Sequence, residues 1–332
     1  MISTLAPLAL TASTGALLAV PLMPALRELR SKSDAGPLVT RKDDGRIENF
    51  AISLRARCHS LEQRQDRDVL YVADPGVWHG PMRTEVLIVC AAPTQLPDGF
   101  QSIGDFYSQQ DLYSGRNNFF RGLLSDGGMV LGSGTQVLRW VHAESDLRAE
   151  EQCSLFGRAS SSRSLTLGRG CRFERIYAPV IYSLAAAAQL QLRTESAAFS
   201  KLAQAGVGRK RTQGQGQLSA GEQHFGNLVV TKGLEMGEGA CVFGSAKANG
   251  HVELAEGAEV DGSLVSTKRI HIASGCFVKG PIISEREIVI DAGVQVGLPG
   301  APTTISAPQI RLATGSVFHG TVWARAEGRV GE

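Results

Sequence analysis

Gly262-Ser-Leu-Val-Ser-Thr-Lys-Arg-Ile-His-Ile-Ala-Ser-Gly-Cys-Phe-Val-Lys279 decides the fold. Inside it apolar and polar residues alternate: Leu264, then Ile270 and Ile272, then Cys276 and Val278. A period of two marks short strands with one face buried. The stretch then recurs. Gly226, Gly244, Gly262 and Gly280 are 18 residues apart, and Gly239, Gly257, Gly275 and Gly293 keep that period, offset by 13. A fixed period of this size is the mark of a solenoid, each repeat one coil stacked on the last. Glycine at the corners permits positive φ, so the chain turns between strands.

Stacking the coils makes the columns uniform. Ile270 falls in line with Leu234, Val252 and Ile288, Ile272 with Met236, Leu254 and Ile290, and Val278 with Val242, Val260 and Val296. The same template fits far upstream, where Leu165, Leu167, Cys171 and Phe173 overlay the Gly262 coil without a gap. Leu147, Ala149, Cys153 and Leu155 lie 18 residues earlier, and Met129, Leu131, Thr135 and Val137 another 18. Weaker coils extend the pattern: Val86 to Ile103, Gly104 to Arg121, and Ile310 to Trp323 after a Pro- and Gly-rich interruption at Leu298 to Pro308. Nine or ten coils at a spacing of about 4.8 Å predict a rod roughly 45 Å long.

The fold expected is therefore all-β, a parallel β-helix of coils of about 18 residues. An N-terminal transmembrane helix is expected before it. Leu5 to Leu26 carries no charge, with Leu5, Leu8, Leu10, Leu17, Leu18, Val20 and Leu22 as its anchor residues. At 1.5 Å per residue the run reaches about 33 Å, a bilayer core, though Pro7, Pro21 and Pro24 would bend it. Arg27, Arg30 and Lys32 follow, and no Lys or Arg precedes it. That asymmetry predicts an uncleaved single-pass anchor in a bacterial inner membrane, with the bulk of the chain cytoplasmic.

The layout expected is an anchor over 1–30, a linker and N-terminal cap over 31–85, a first β-helix block over 86–183, an insertion over 184–225, a second block over 226–324 and a polar tail over 325–332. Arg46 to Leu54 reads as a strand capping the first coil, because solenoid ends need covering. In the insertion, Leu184 to Leu202 is rich in helix formers and Ala205 to Gly221 in Gly, Gln, Lys and Arg.

Chemistry is sparse. The chain of 332 residues carries a formal net charge of +2, and its densest basic cluster, Gly208-Arg-Lys-Arg211, is short, so no nucleic-acid partner is expected. Of six cysteines, Cys153, Cys171 and Cys276 share a column with Thr135, Ala240, Ala258 and Val294 and read as small core residues. No metal spacing appears, and no metal or other cofactor is expected. His271 lies between inward Ile270 and Ile272 and points outward, and His251 on the neighbouring coil reads likewise as a surface residue. No Ser-His-Asp order, zinc-protease helix, phosphate loop or dinucleotide fingerprint is present, so no catalytic residue is assigned.

Apolar residues also fall every six positions, at Leu264, Ile270, Cys276, Ile282, Ile288 and Val294, as in the hexapeptide acyltransferases. The paired I-x-I strands with glycine three residues later fit that pattern poorly. Ile270-His-Ile-Ala-Ser-Gly-Cys-Phe-Val-Lys-Gly280 instead resembles the coils of the bactofilins, the bacterial polymer-forming cytoskeletal family. The resemblance is best over Gly226 to Gly297 and repeats over Gly122 to Ile176. It implies a right-handed β-helix that polymerises end to end without nucleotide, often at the inner membrane, as a scaffold for cell-envelope or polysaccharide machinery.

The function expected is a non-enzymatic, membrane-anchored scaffold. Its partners would be other copies of the chain, the inner membrane and proteins of envelope or exopolysaccharide synthesis. Self-association is placed at the last coil, whose edge at Val322 and Trp323 is followed by only a few polar residues. The alternatives are an acyltransferase of the hexapeptide type and a carbohydrate-binding β-helix facing the periplasm.

Overall fold

The computed structural model describes residues 49–64, 69–73, 76–183, 211–213 and 216–331, with positions 10, 13–17, 20 and 23 before them. The expected linker, the helix-forming stretch of the insertion and most of the anchor run lie outside the described residues. Residues 1–46 form one unit and residues 47–332 a second, which contains the whole solenoid.

Three short strands make each turn, and each strand pairs in parallel with its counterpart one turn away. The expected columns are the core. Ile270, Leu234, Val252 and Ile288 are fully buried, as are Val278, Val242, Val260 and Val296, while Ile272, Met236, Leu254 and Ile290 are at most 2% exposed. The upstream columns at Leu147, Leu165 and Met129 are buried alike. About 13 turns are present, more than the nine or ten expected, and at about 4.8 Å per turn they stack over roughly 60 Å. The extra turns come from three places. Strands Val69–Val72, Gly76–Val77 and Arg83–Thr84, expected within the linker and cap, form the first turn. Strands at Arg211–Gln213, Gln217–Leu218 and Gln223–Phe225, expected within the insertion, open the second block. The strand Ser316–Val330 runs through the expected polar tail.

The two glycine columns serve different physics. Gly134, Gly170, Gly239, Gly257, Gly275 and Gly293 all have φ between +63° and +75°, and Gln152 holds the same position at φ 58°. That column is conformational. Gly262 and Gly280 lack positive φ. A Cβ there would stand 2.7 Å from the Gly244 carbonyl oxygen and 2.6 Å from that of Gly262, so this column exists because successive turns touch through backbone.

A column of serines turns another corner. Ser125, Ser161, Ser266 and Ser284 are buried, and their hydroxyls donate to the carbonyls of Gln110, Ser145, Gly250 and Lys268 at 2.5–2.7 Å. Each hydroxyl also accepts the backbone N–H two residues on, as at Lys268 and Arg286. The inward corner thus keeps its polar groups satisfied.

The expected capping strand is a helix, α1 (Asn49–Arg64). It lies along the side of the first block and not over its end. Ala51, Leu54, Cys58 and Leu61 pack on Leu87, Val89, Tyr107, Leu124 and Trp140, which belong to four successive turns. Their spacing of three and four residues is the helical period. Arg46 to Leu54 read alone shows only enough of it to pass for alternation.

Candidate interaction surfaces

The two blocks meet last turn to last turn. The strand Arg172–Ser183, which closes the first block, pairs antiparallel with Ser316–Val330, which closes the second. Ile176 faces Val322, Tyr177 faces Thr321 and Ser183 faces Ser316. Side chains lock the seam. The Ser183 hydroxyl donates to the Ala313 carbonyl at 2.7 Å and accepts the Ser316 N–H at 3.0 Å. His319, 1% exposed, faces the Pro179 carbonyl through Nδ1 at 2.9 Å, and burial pushes its pKa down. A neutral imidazole donating from Nδ1 fits both facts.

This corrects the expectation of an open C-terminal edge. Val322 is fully buried, with Ile176 on one side and Ile305 on the other. Trp323 remains 42% exposed, but its strand is paired on both sides, so neither residue offers a free edge. The physical reason is the insertion. Ser183 lies at the seam and Arg211 in the outer turn of the second block, so about six turn spacings of 4.8 Å, roughly 30 Å, separate them. Residues 184–210, at up to about 3.3 Å each, are long enough for that.

Consequently the open strand edges belong to the two first turns. Val69–Val72, Gly76–Val77 and Arg83–Thr84 pair only with the following turn, and so do Arg211–Gln213, Gln217–Leu218 and Gln223–Phe225, among the described residues. The first of these ends is apolar. Tyr71 is 43% and Val77 59% exposed, beside a cavity of about 310 Å³ lined by Val72, Trp78, Pro81 and Thr94. At the other end Phe225 stacks on Phe243 with centroids 5.0 Å apart and is 45% exposed.

Two polar constellations have the residue types of active sites. Under the N-terminal half of α1, His142 Nδ1 lies 2.9 Å from the Ser160 hydroxyl and Nε2 lies 3.4 Å from a Glu144 oxygen. Ser160 and His142 are each 3% exposed, so substrate has no way to the hydroxyl. The same network holds the helix. Arg55 donates to Asp126 and Glu144 at 2.5 and 2.6 Å, and Tyr107 donates to Asp126 at 2.5 Å. Burial raises the Glu144 pKa, but the Arg55 hydrogen bond, the His142 and Arg55 charges and the Ser162 hydroxyl outweigh it and hold the carboxyl below its usual value.

On the second block His271 bridges Glu253 and Asp291, at 2.9 and 3.1 Å, in a shallow groove of about 590 Å³ beside Glu235 and Leu254. His271 is outward, as its alternation demands. Its register neighbours are Glu253 and Val289, so His251 is not in its column. Among the described residues no group of three or more His, Cys, Asp or Glu is arranged to hold a metal ion. All six cysteines are free and buried. Cys153, Cys171 and Cys276 turn their thiols to carbonyls of the preceding turn, those of Gly132, Glu150 and Ala255, which explains why that column accepts cysteine.

Of the anchor residues, Leu5, Leu8, Leu18 and Leu22 lie outside the described residues. Leu10, Leu17 and Val20 are 66–77% exposed. No described helix is long and apolar enough to cross a membrane.

Compared with protein families, with curated proteins and with solved structures, the chain matches none.

Proposed function

We propose that this protein is a non-catalytic scaffold of bactofilin type, held at a membrane by its N-terminal segment and assembling end to end through its two first turns. One observation carries the reading. The seam joins two solenoid ends by backbone pairing, and it leaves the chain with two further ends whose outer strands pair along one edge only among the described residues. An unpaired edge of parallel strands is a template for another chain. The exposed Val77 at one end, and Phe225 at the other, add apolar area to that template. The resemblance of the coils to bactofilins supports the same role. Contacts with envelope or polysaccharide-synthesis proteins would then fall on the outward faces.

Sedimentation and electron microscopy of the full chain test the assembly. Elongated oligomers are expected, and Val77→Lys should shorten them, because charge on an edge blocks strand addition. A wild-type chain that stays monomeric at high concentration would refute self-association. The membrane segment is tested separately by cell fractionation. Removal of residues 1–32 should release the protein from the membrane fraction, and a cleaved mature chain would refute the anchor.

A further inference from the structure

Beside the seam, Trp140, Arg158, Arg175 and Trp323 are successive register partners on four neighbouring strands. Two arginines are therefore direct cross-strand neighbours, one strand spacing apart, and like charges so placed repel. Neither takes part in an ion pair between described residues. Burial, and then the Arg158 charge, pull the Arg175 pKa down. The carboxylate in the same corner, Glu174, is engaged elsewhere and accepts the Gly157 N–H at 3.0 Å. Arg175 leans over the Trp323 ring at 5.3 Å. The adjoining corner adds exposed Arg139 and Leu138, the latter 44% exposed.

We infer that this ridge of arginines and tryptophan seats on the anionic headgroup layer of a lipid membrane. Three features select that occupant. The two arginines lack anionic partners among the described residues, so an array of anions complements them. They form one row across successive strands, which meets a plane along a line. A single strand of nucleic acid would require a groove with stacked rings, and here there is none. Lastly, Trp323 and Leu138 project beside the cations, and an amphipathic aromatic flanked by arginine is suited to the boundary between headgroups and acyl chains. The contact requires neither the N-terminal segment nor end-to-end assembly. It would lay the long axis of the solenoid along the membrane plane.

Tryptophan fluorescence tests this on the full chain. Trp78 and Trp140 are 7% and 5% exposed, so Trp323 is the tryptophan that acyl-chain bromines can quench. Vesicles of brominated phosphatidylcholine, with and without one third phosphatidylglycerol, are the probe. Quenching is expected only with the anionic lipid, should vanish in Trp323→Phe and should fade in high salt. Each cation strengthens contact with an anionic surface about fivefold, so Arg158→Gln with Arg175→Gln should require roughly 30-fold more anionic lipid. Arg158→Lys with Arg175→Lys should restore the signal, which a folding defect would not.

Because neutral vesicles still engage an N-terminal anchor, failure of this contact and failure of the anchor read out separately. Equal quenching by neutral and anionic vesicles, no quenching, or indifference to the glutamine pair would each overturn the inference. Loss of self-association in the glutamine pair with unchanged quenching would assign the ridge to a second copy and overturn it too.

Discussion

A disulfide across the seam probes the least expected feature of this structure. Tyr177 and Thr321 face each other in register and are both partly exposed. Facing residues of antiparallel strands have Cα atoms about 4.5–5.5 Å apart, inside the window of about 4.4–6.8 Å that a disulfide accepts. Tyr177→Cys with Thr321→Cys should therefore oxidise to an intrachain bond. Thr304 is the register partner of Thr321 on the far side. It stands two strand spacings, roughly 9.6 Å, from Tyr177, so Tyr177→Cys with Thr304→Cys should not close. The native cysteines are buried and contribute little background. The bond closes a loop of about 145 residues, for which chain entropy allows up to about 5 kcal/mol of stabilisation, less any strain. Non-reducing electrophoresis and peptide mapping identify the bond, and urea titration with and without reductant gives its energy. Crosslinks between chains only, or equal closure of both pairs, would mean that the two blocks do not meet as described.

Ile272→Ala should lose about 2–5 kcal/mol in urea titration, because Ile272 is fully buried between Leu254 and Ile290. His271→Gln, one residue away but outward, should lose under about 1 kcal/mol. Gln152→Gly should raise stability by about 0.5–1 kcal/mol, since Gln152, like Asn117 at φ 54°, bears a side chain at a corner with positive φ (58°) where Gly134 and Gly170 do not. The Glu144 carboxyl is held below its ordinary pKa of 4.5 in the folded state, so its contribution is present above that value and is lost as pH falls through the depressed one. Urea midpoints should therefore drop on acidification below about pH 4.5, and the drop should be smaller in Arg55→Ala, which frees that pKa to return upward.

The columns were legible because each one is written several times over. Ile270 alone says little; Ile270 with Leu234, Val252 and Ile288 at a constant interval says strand, inward face and neighbour at once. Where the template loosens, legibility ends. The turn at Val69 to Thr84 and the one at Arg211 to Phe225 sit at the outer ends, where only one neighbour imposes a register. Helix α1 escaped because its apolar stripe, Ala51, Leu54, Cys58 and Leu61, needs the whole element to show its period, and a nine-residue window does not contain it. The serine corner was visible as Ser266 and Ser284 at the 18-residue interval, yet nothing in the pattern said that a polar column points inward. The ridge of Arg158 and Arg175 was hidden for a simpler reason. The interval between those two is 17 residues, and the partner that completes them, Trp323, is brought by the seam.

The seam itself leaves no local trace, and its consequence reaches beyond the pairing. Ser183 and Ser316 are 133 residues apart, and both sequences are ordinary for a strand in the middle of a stack. Direction is what changes there. Two parallel solenoids joined last turn to last turn run opposite ways along the stack, so both outer ends are first turns and neither is a last one. A stack with one first and one last turn would grow in a polar fashion, each copy adding head to tail. This one presents the same kind of edge at both ends, and joining first turn to first turn opposes the chain directions as the seam does. The two edges still differ in chemistry. Tyr71 and Val77 expose an apolar rim at one end, whereas Gln217, Gln223 and Phe225 give the other a mostly polar rim with a single exposed ring. In the proposed assembly, growth would depend on whether unlike rims or like rims pair better. Apolar area favours like pairing at the Tyr71 end, where burial contributes about 25 cal/mol per Å². The polar end, with less to bury, would set the limit on length in that assembly.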